Sequence, residues 1–312
     1  MLAVKTLRSN LNIFRRAIWL MGNQFEISVV ANDPMWAEAQ ITAAIGEINR
    51  VEKLLSTFSD GSKVNEINRN AGIQPTKVDP EIFRLIDRSL KIAALTYGAF
   101  DITYFSADKV SNSNTTQKKS PFLTTSTNYQ NVVLDADKVT VFLKEEGMRI
   151  GFAAIGKGYA ADRAKYILQM QGVSSGVINA GGDILTWGTQ PNTEDWTIAS
   201  ADPEQARKPF SDLNIGNMCI ATSINTEHCA TAIANKAEDK LVNAKKGFPV
   251  SEIMRVSVIS PTAELSDAMA TPIMNMGVNA GLYLINQLNQ ISCLIVDDHD
   301  RVYTSKGINK AN

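Results

Sequence analysis

The stretch that decides the fold is Arg149-Ile-Gly-Phe-Ala-Ala-Ile-Gly-Lys-Gly-Tyr-Ala-Ala-Asp162, in which small residues run directly into a helical pattern. Glycine and alanine leave room for the backbone to approach a large ligand. The free N–H groups at a helix start, together with the ammonium of Lys157, predict a seat for a phosphate group. The stretch has neither the Walker spacing, Gly-x-x-x-x-Gly-Lys-Ser/Thr, nor the dinucleotide spacing, Gly-x-Gly-x-x-Gly. It therefore predicts a phosphate loop of another kind.

A second glycine-rich segment follows, Gly176-Val-Ile-Asn-Ala-Gly-Gly-Asp183. Gly181 and Gly182 would let the backbone approach a cofactor or its phosphates. A plain turn between two strands explains the same two glycines nearly as well. Both interpretations stay open from the residues alone.

The composition narrows the class of protein. The chain has 312 residues and no long linker, so it forms one large domain or two closely packed lobes. A formal net charge of -1 argues against a nucleic-acid surface. The three cysteines and two histidines lack the spacing of a zinc site or a disulfide framework. No apolar run is long enough for a transmembrane span or a signal-peptide core.

Hydrophobic periodicity predicts an α+β fold with sheets covered by helices, because strands and helices mix without strict alternation. A polar run over residues 106–128 predicts a surface loop. Helices are predicted at 36–58, after Asp79-Pro80, and after Lys157. Strands are predicted at 25–30, 131–134, 139–142, 176–178 and 256–259, and at 292–296 and 302–304 as a hairpin.

Five motifs occur in a fixed order along the chain and together carry a family resemblance. They are Leu20-Met-Gly-Asn23 with Phe25-Glu-Ile27; Leu55-Ser-Thr-Phe58 leading to Ser62 and Asn68; Gly98-Ala-Phe-Asp-Ile-Thr103; the two glycine-rich segments; and Ser266-Asp-Ala-Met-Ala-Thr271 with Met276-Gly277. In this order they resemble the FAD:protein FMN transferases, the ApbE-like flavin transferases. The resemblance covers residues 18–308, which leaves 1–17 as an N-terminal extension and 309–312 as a tail.

The resemblance implies a fold, an activity and partners. It implies two intimate lobes with FAD between them. It implies a transferase that uses magnesium (Mg²⁺) to move FMN from FAD to an exposed threonine or serine of an acceptor protein, with release of AMP. Members of the family are usually exported to the periplasm and often anchored to a membrane. Because no signal peptide is visible in this chain, the sequence predicts no compartment.

Asp267 and Thr271 are the candidate side-chain ligands of magnesium. They lie four residues apart in a predicted helix, so a carboxylate and a hydroxyl share one face. Pro272 cannot donate an N–H, which frees a carbonyl one turn earlier. The alternative is that Asp267 simply caps the start of its own helix. The resemblance implies a metal site formed by Ala154, Asp267, Ala270 and Thr271, with both alanines contributing backbone oxygen.

The FAD contacts come from the resemblance, and each has a plainer alternative. Phe58 and Phe100 could be core residues, and Lys157 could be a solvated surface lysine. Asp101 is a carboxylate in an apolar setting and needs a polar partner. The family usually has an acidic residue where Gly151 stands. The implied contacts are Met21, Phe58, Ala99, Phe100, Asp101, Gly151, Lys157, Gly181, Gly182 and Val250.

The chain departs from the family in the loop that usually carries the catalytic base. Where members have His-x-x-Asp-Pro, this chain has Lys240, Asn243 and Ala244. A histidine titrates near neutral pH and can accept the proton of a hydroxyl, whereas an ordinary lysine stays protonated. His228 could substitute only if its segment folds back, and a lone surface histidine is the simpler interpretation. The catalytic residue is therefore left open, with Asp267 in a supporting role.

Three functions remain in view. The first is the FMN transferase. The second is a catalytically weak or silent FAD-binding paralogue, or an FAD pyrophosphate hydrolase, and the altered loop favours it. The third is an interaction protein that has lost flavin. The ordered motifs favour the enzyme.

Overall fold

The computed structural model of the chain describes residues 11–105, 128–202, 212–225 and 253–308. The chain divides into two compact units. The first unit combines the chain up to Asn49 with the chain from Lys157 onward, and the second runs from Arg50 to Gly156. The second unit is thus inserted into the sequence of the first.

The helices and strands follow one another along the chain in mixed order. The described helices are α1 (Pro34–Leu55), α2 (Lys63–Arg69), α3 (Pro80–Leu95), α4 (Gly156–Met170), α5 (Ile198–Ala201), α6 (Ala263–Met276) and α7 (Val278–Ile285). The described strands are β1 (Asn12–Leu20), β2 (Asn23–Ala31), β3 (Thr76–Lys77), β4 (Thr103–Phe105), β5 (Val132–Asp135), β6 (Thr140–Leu143), β7 (Met148–Ile150), β8 (Gly176–Ala180), β9 (Asp183–Trp187), β10 (Cys219–Ile224), β11 (Ile253–Ser260), β12 (Ser292–Asp297) and β13 (Val302–Thr304).

The first unit is built on an antiparallel eight-stranded sheet in the order β1-β2-β8-β9-β10-β11-β12-β13. Alternate residues of each strand face opposite sides of the sheet. Helix α6 packs on β10 and β11, where the Ser266 hydroxyl meets Ser260 Oγ at 2.8 Å and donates to the Cys219 carbonyl at 3.3 Å. An apolar cluster includes Val177, Ile184, Trp196, Ile220 and Ile259.

Two tight hairpin turns lie side by side in this sheet. Leu20 pairs with Asn23 across Met21-Gly22, and Ala180 pairs with Asp183 across Gly181-Gly182. All four turn residues have positive φ, which is the type I′ geometry that suits two-residue hairpins. The Gly181 N–H donates to the Gln24 carbonyl at 2.8 Å. The β1–β2 turn and the β8–β9 turn are therefore held next to each other.

The second unit contains a three-stranded sheet, β3-β6-β5, a two-stranded sheet, β4-β7, and helices α2 and α3. Helix α3 begins at Pro80 directly after Asp79, as predicted, and buries Ile82 and Leu85. The Asn68 side chain pairs with the backbone of Ile150: it accepts the N–H at 2.8 Å and donates to the carbonyl at 3.1 Å. This pair fixes the chain just before the small-residue loop.

The α+β prediction is confirmed, and the predicted helices and strands within the described residues are present. Helix α1 ends at Leu55, before the predicted residue 58, because Ser56 Oγ accepts the N–H groups of Phe58 and Ser59 at 3.2 Å each. Residues 12–17, predicted as part of an extension, lie in β1. Of the predicted loop 106–128, all but Asn128 falls outside the described residues. None of the described helices combines the length and apolarity needed to cross a membrane.

Candidate functional site

Lys157, Asp183 and Asp267 form the most buried charged cluster of the candidate site, and all three belong to the first unit. The Lys157 ammonium donates to Asp183 Oδ2 and lies 3.6 Å from Asp267 Oδ1. Their side chains are only 20%, 8% and 14% exposed, respectively. One cation thus serves two carboxylates out of bulk water. Lys157 lies at a helix start, as predicted, but its anionic partners here are protein carboxylates, and its predicted contact with a phosphate stays a prediction.

Burial and pairing act in opposite directions on these groups. Burial alone would lower the pKa of Lys157, but Asp183 and Asp267 outweigh it and raise the pKa above its usual value. Burial raises the pKa of Asp267 to about 6, against the opposing effects of Lys157 and the Gly158 N–H. Burial raises the pKa of Asp183 as well. The lysine therefore stays charged, while both carboxylates hold protons more readily than free aspartate.

Strand β10 ties this cluster to the face of α6. The Thr222 N–H donates to Asp183 Oδ1 at 3.0 Å, and the next residue, Ser223, meets Thr271 with 2.7 Å between their hydroxyl oxygens. Asp267 and Thr271 both lie on α6, as predicted. Carboxylates from β9 and α6 thus contact the ammonium, and a pair of hydroxyls joins β10 to α6.

The alternative role of Asp267, as the cap of its own helix, is wrong. Thr262 is the N-cap of α6, and its side chain accepts the N–H of Leu265. Asp267 instead accepts the N–H of Gly158 at 2.9 Å, so it caps the start of α4. The carboxylate complements the positive end of that helix. Asp267 therefore joins the two segments that sequence motifs had singled out separately.

The predicted FAD contacts of the first unit gather at the two hairpin turns. Met21 has φ 50° in the β1–β2 turn, and its carbonyl accepts the Asn23 side-chain N–H at 3.0 Å. A Cβ added to Gly181 would come within 3.0 Å of Asn23 Oδ1, and Gly181 has φ 66°. A side chain at Gly181 is thus disfavoured by both space and conformation. Gly181 and Gly182 remain exposed.

A cavity of about 640 Å³ lies beside the β8–β9 turn on the sheet face opposite α6. Gly181, Gly182 and Thr222 line it at one end, and Ile220 and Ile259 contribute apolar walls. Pockets that bind cofactors typically combine an apolar lining with a few polar groups. The cavity therefore offers room for a bulky ligand beside the β8–β9 turn.

The predicted contacts of the second unit differ in exposure. Phe58 is 98% exposed, so its core interpretation is wrong; Phe100, at 2% exposed, is a core residue. Asp101 finds its polar partners in the chain itself, because it accepts the N–H groups of Thr103 and Tyr129 at 2.8 and 3.0 Å. Ala99 is half-buried, next to Phe100.

The small-residue loop of the second unit carries two of the predicted site residues, Gly151 and Ala154. Gly151 is half-buried, and an added Cβ would lie 3.1 Å from the ring of Tyr104. Ala154 is exposed two residues before α4 begins. Ala270, the other predicted carbonyl ligand, lies in α6 of the first unit and is buried. Val250, Lys240 and His228 lie outside the described residues.

Two acidic residues of the site were missed from sequence. Asp183 was read only as the end of a turn, and Asp162 only as the end of the helix motif. The available signal was one charged residue at the start of an otherwise uncharged run, Asp183-Ile-Leu-Thr-Trp187. In the structure every residue of this run, which forms β9, is buried. A buried carboxylate needs a partner, which predicts a cation nearby.

Within the described ranges, no group of three or more His, Cys, Asp and Glu side chains is placed to hold a metal ion. The oxygen donors that are present nevertheless fit magnesium, because carboxylate, hydroxyl and backbone carbonyl oxygens are its usual protein ligands. The Lys157 ammonium lies between the carboxylates of Asp183 and Asp267, which shows that this position favours positive charge. The donor chemistry is therefore compatible with the predicted ligands Asp267 and Thr271.

Asp162 should make the stability of the protein depend on pH. Burial raises its pKa to about 6, against the N–H groups of Glu264 and Ala263 that it accepts. The unfolded value is about 3.9, so the folded state binds this proton more tightly. The resulting stabilisation is complete below about pH 4 and is lost as the pH rises through about 6. Between pH 4 and pH 7, the free energy of unfolding of Asp162→Asn should therefore fall by roughly 2–3 kcal/mol less than that of the wild type.

Urea denaturation in EDTA at several pH values between 4 and 7 measures this effect. Asp87→Asn is the matched control, since it removes an exposed carboxylate that pairs with Lys91. Its stability should follow the wild-type pH curve. If the free energy of unfolding changes with pH equally in wild type and Asp162→Asn, the pKa of Asp162 is the same in the folded and unfolded states and the prediction is wrong.

A family model, curated relatives and solved structures all relate this chain to flavin transferases of the ApbE family. The sequence model of the ApbE family matches residues 21–295. An FAD:protein FMN transferase of Klebsiella pneumoniae (strain 342) is 27% identical over 306 residues, covering 92% of this chain and 90% of that protein. The flavin transferase ApbE from Vibrio cholerae has a TM-score of 0.75 at 18% identity and covers 95% of this chain and 98% of its own. Pseudomonas stutzeri flavinyl transferase ApbE, apo form, has a TM-score of 0.72 at 20% identity and covers 96% of each chain.

Proposed function

The chain belongs to the ApbE family, and we propose that it is a magnesium-dependent FAD:protein FMN transferase. It takes FAD as substrate, attaches FMN to an exposed threonine or serine of an acceptor protein, and releases AMP. The names of its relatives support the transferase activity. The charged cluster at the start of α4 supports the use of a pyrophosphate substrate.

The observation that carries the proposal is the placing of Lys157 between Asp183 and Asp267. A pyrophosphate is repelled by carboxylates unless cations lie between them. Lys157 supplies one fixed cation at the positive end of a helix, where phosphate groups commonly bind. The exposed glycines of the β8–β9 turn, directly before Asp183, give the rest of the ligand room to approach.

We assign the cation ligands to Asp267 and Thr271 with the carbonyls of Ala154 and Ala270. When bound, magnesium neutralises charge on the pyrophosphate oxygens. Lys157 contacts the phosphates, and Asp183 holds Lys157 in place from strand β9. Met21, Gly181 and Gly182 line the approach, and Phe58, being exposed, is available to a flavin ring. Ala99, Phe100, Asp101, Gly151 and Val250 remain proposed FAD contacts.

The reaction exchanges one phosphorus–oxygen bond for another. The acceptor hydroxyl oxygen attacks the phosphorus on the FMN side of the pyrophosphate, and the bond from that phosphorus to the bridging oxygen breaks. FMN is then joined to the acceptor by a phosphoester, the bridging oxygen leaves with AMP, and the hydroxyl proton passes to a base. Positioning and charge stabilisation supply most of the acceleration in such transfers.

The chain departs from the family pattern at the position of the catalytic base. Lys240 stands at the usual histidine position and does not readily accept a proton near neutral pH. This observation favours a second candidate function, an FAD-binding paralogue with weak or no transfer activity. Hydrolysis of the FAD pyrophosphate, with water in place of the acceptor hydroxyl, is the third outcome that the experiment must separate.

Incubation with FAD, magnesium and a short acceptor domain tests these functions directly. A covalent FMN adduct by mass spectrometry, with equimolar AMP, supports the transferase. AMP and free FMN without an adduct identify a hydrolase. Bound FAD without AMP identifies the silent paralogue, and colourless protein that does not bind added FAD contradicts every flavin function.

Replacement of Asp267 should weaken FAD binding only where magnesium is present. Asp267→Ala removes the charged side-chain ligand of the proposed site. Residues that only orient metal ligands already change metal affinity by about 10–100-fold, so the FAD affinity in magnesium should fall roughly tenfold or more. Isothermal titration with FAD in magnesium and in EDTA measures the loss. Asp87→Asn is the control for removal of a surface carboxylate. Equal FAD affinity of wild type and variant under both conditions would reject the metal site.

A further inference from the structure

Helices α4 and α6 cap each other reciprocally. Asp267 of α6 accepts the N–H of Gly158, near the start of α4, at 2.9 Å. In return, Asp162 of α4 accepts the N–H groups of Ala263 and Glu264, at the start of α6, at 2.9 and 2.8 Å. Each carboxylate lies four residues beyond the capped glycine or alanine of its own helix. The two helix starts are therefore joined by three charge-assisted hydrogen bonds.

The two helices touch at backbone level where these caps meet. A Cβ added to Gly158 would lie 2.3 Å from the Ala263 carbonyl oxygen and 2.9 Å from Asp267 Cβ. A side chain at position 158 would therefore force the backbone of α6 to move, because the nearest atom is the carbonyl oxygen of Ala263. The packing of α4 against α6 is thus fixed by the close backbone contact at Gly158 and by the hydrogen bonds of Asp162 and Asp267.

The caps also balance charge. The positive ends of two helix dipoles meet here, beside the Lys157 ammonium. Asp162 and Asp267 compensate them, but only Asp267 belongs to the proposed cation site. Without Asp162, the first N–H groups of α6 lose their acceptor. Helix α6 carries Asp267 and Thr271, so a shift of its first turn moves both proposed magnesium ligands.

We propose that Asp162 is a positioning residue for the cation site: through its cap on α6 it sets the magnesium-dependent part of FAD affinity without contacting FAD or the ion. The proposal rests on the proposed function, because it presupposes that FAD binds with magnesium. The relevant quantity is the magnesium gain, defined as the FAD dissociation constant in EDTA divided by that in magnesium.

Isothermal titration of FAD into wild type and Asp162→Asn, each in magnesium and in EDTA, measures the gain. Residues that orient metal ligands typically change metal affinity by about 10–100-fold, so the gain should fall at least about tenfold. The affinity in EDTA should stay unchanged. Asp162→Glu keeps the charge but moves the carboxylate by one methylene, so it should lose part of the gain, though less than Asp162→Asn loses. Asp87→Asn should keep all of it.

The outcomes distinguish failure of the proposed function from failure of the positioning role of Asp162. A wild type that binds no FAD contradicts the proposed function itself. A wild type with a magnesium gain that Asp162→Asn fully retains overturns the positioning role. Equal loss in magnesium and in EDTA also overturns it, because a general structural defect would weaken both. If Asp162→Asn does not fold, Asp162→Glu decides by the same comparison: a gain equal to wild type, or equal loss in both buffers, overturns the proposal.

Discussion

Lys157→Met is expected to lower the free energy of unfolding by about 3–5 kcal/mol, because it leaves two buried carboxylates without their shared cation. Methionine keeps most of the volume of the lysine stem, so the loss reports on charge rather than on a cavity. Urea denaturation at pH 7 in EDTA measures it. The loss should shrink at pH 5, where Asp267, with a pKa of about 6, becomes neutral.

The matched control for this change is Lys63→Met. Lys63 also pairs with a carboxylate, Glu66, at 2.6 Å, but both side chains are more than a third exposed. Exposed pairs of this kind contribute about 0–1 kcal/mol. A loss of similar size for Lys157→Met and Lys63→Met would mean that the Lys157 cluster is effectively solvated.

The same variant tests the phosphate contact. We expect Lys157→Met to lower the affinity for FAD more than the affinity for riboflavin, because only FAD has phosphates for the ammonium to meet. Isothermal titration with both ligands gives the comparison. An equal loss for the two ligands would assign Lys157 to folding of the site and not to recognition of the substrate.

Restoring the family pattern in the catalytic loop should raise the rate of FMN transfer about a hundredfold. The change is Lys240→His with Asn243→Asp and Ala244→Pro, and the reason is that a positioned base typically contributes about 10²–10⁴-fold. Covalent FMN transfer to an acceptor domain is measured for wild type and the triple variant. A fast wild type that gains nothing would show that Lys240 does not limit the reaction.

Lys240→Gln controls for the loss of the lysine, since it removes the ammonium without supplying a base. An equal acceleration by glutamine would attribute the effect to relief of the positive charge. Should the wild type transfer FMN quickly, His228→Ala is the next variant, because His228 is the other candidate base in the neighbouring segment.

Local patterns were sufficient for much of the fold. The alternation at 25–30 and the Asp79-Pro80 start of α3 give the observed elements, since both depend on neighbours in sequence. Strand β9 was missed because all five of its residues are buried, so no alternation marks it. Strand β1 was missed because Arg15 and Arg16 interrupt its apolar residues; in the structure Arg15 pairs with Glu26 of β2.

The candidate site was only partly predictable for a similar reason. Asp267, Thr271 and Lys157 stand in motifs, and their helices could be inferred locally. The partners that define their chemistry come from distant positions: Asp183 reaches Lys157 from another strand, and Asp162 caps a helix about a hundred residues away. Such pairings depend on the packing of α4 against α6, and one sequence without its fold does not specify them.

The insertion of the second unit fixes the order in which the large sheet can form. Phe25 of β2 pairs with Ala180 of β8, about 150 residues later, and the whole of the chain from Arg50 to Gly156 lies between them. Closing so long a loop is slow, because its entropy is lost before the strand pairing compensates. During synthesis the inserted unit leaves the ribosome before β8 exists. Until then β2 has one open edge, which can pair with other chains, so we expect aggregation on expression to begin at the β1–β2 hairpin.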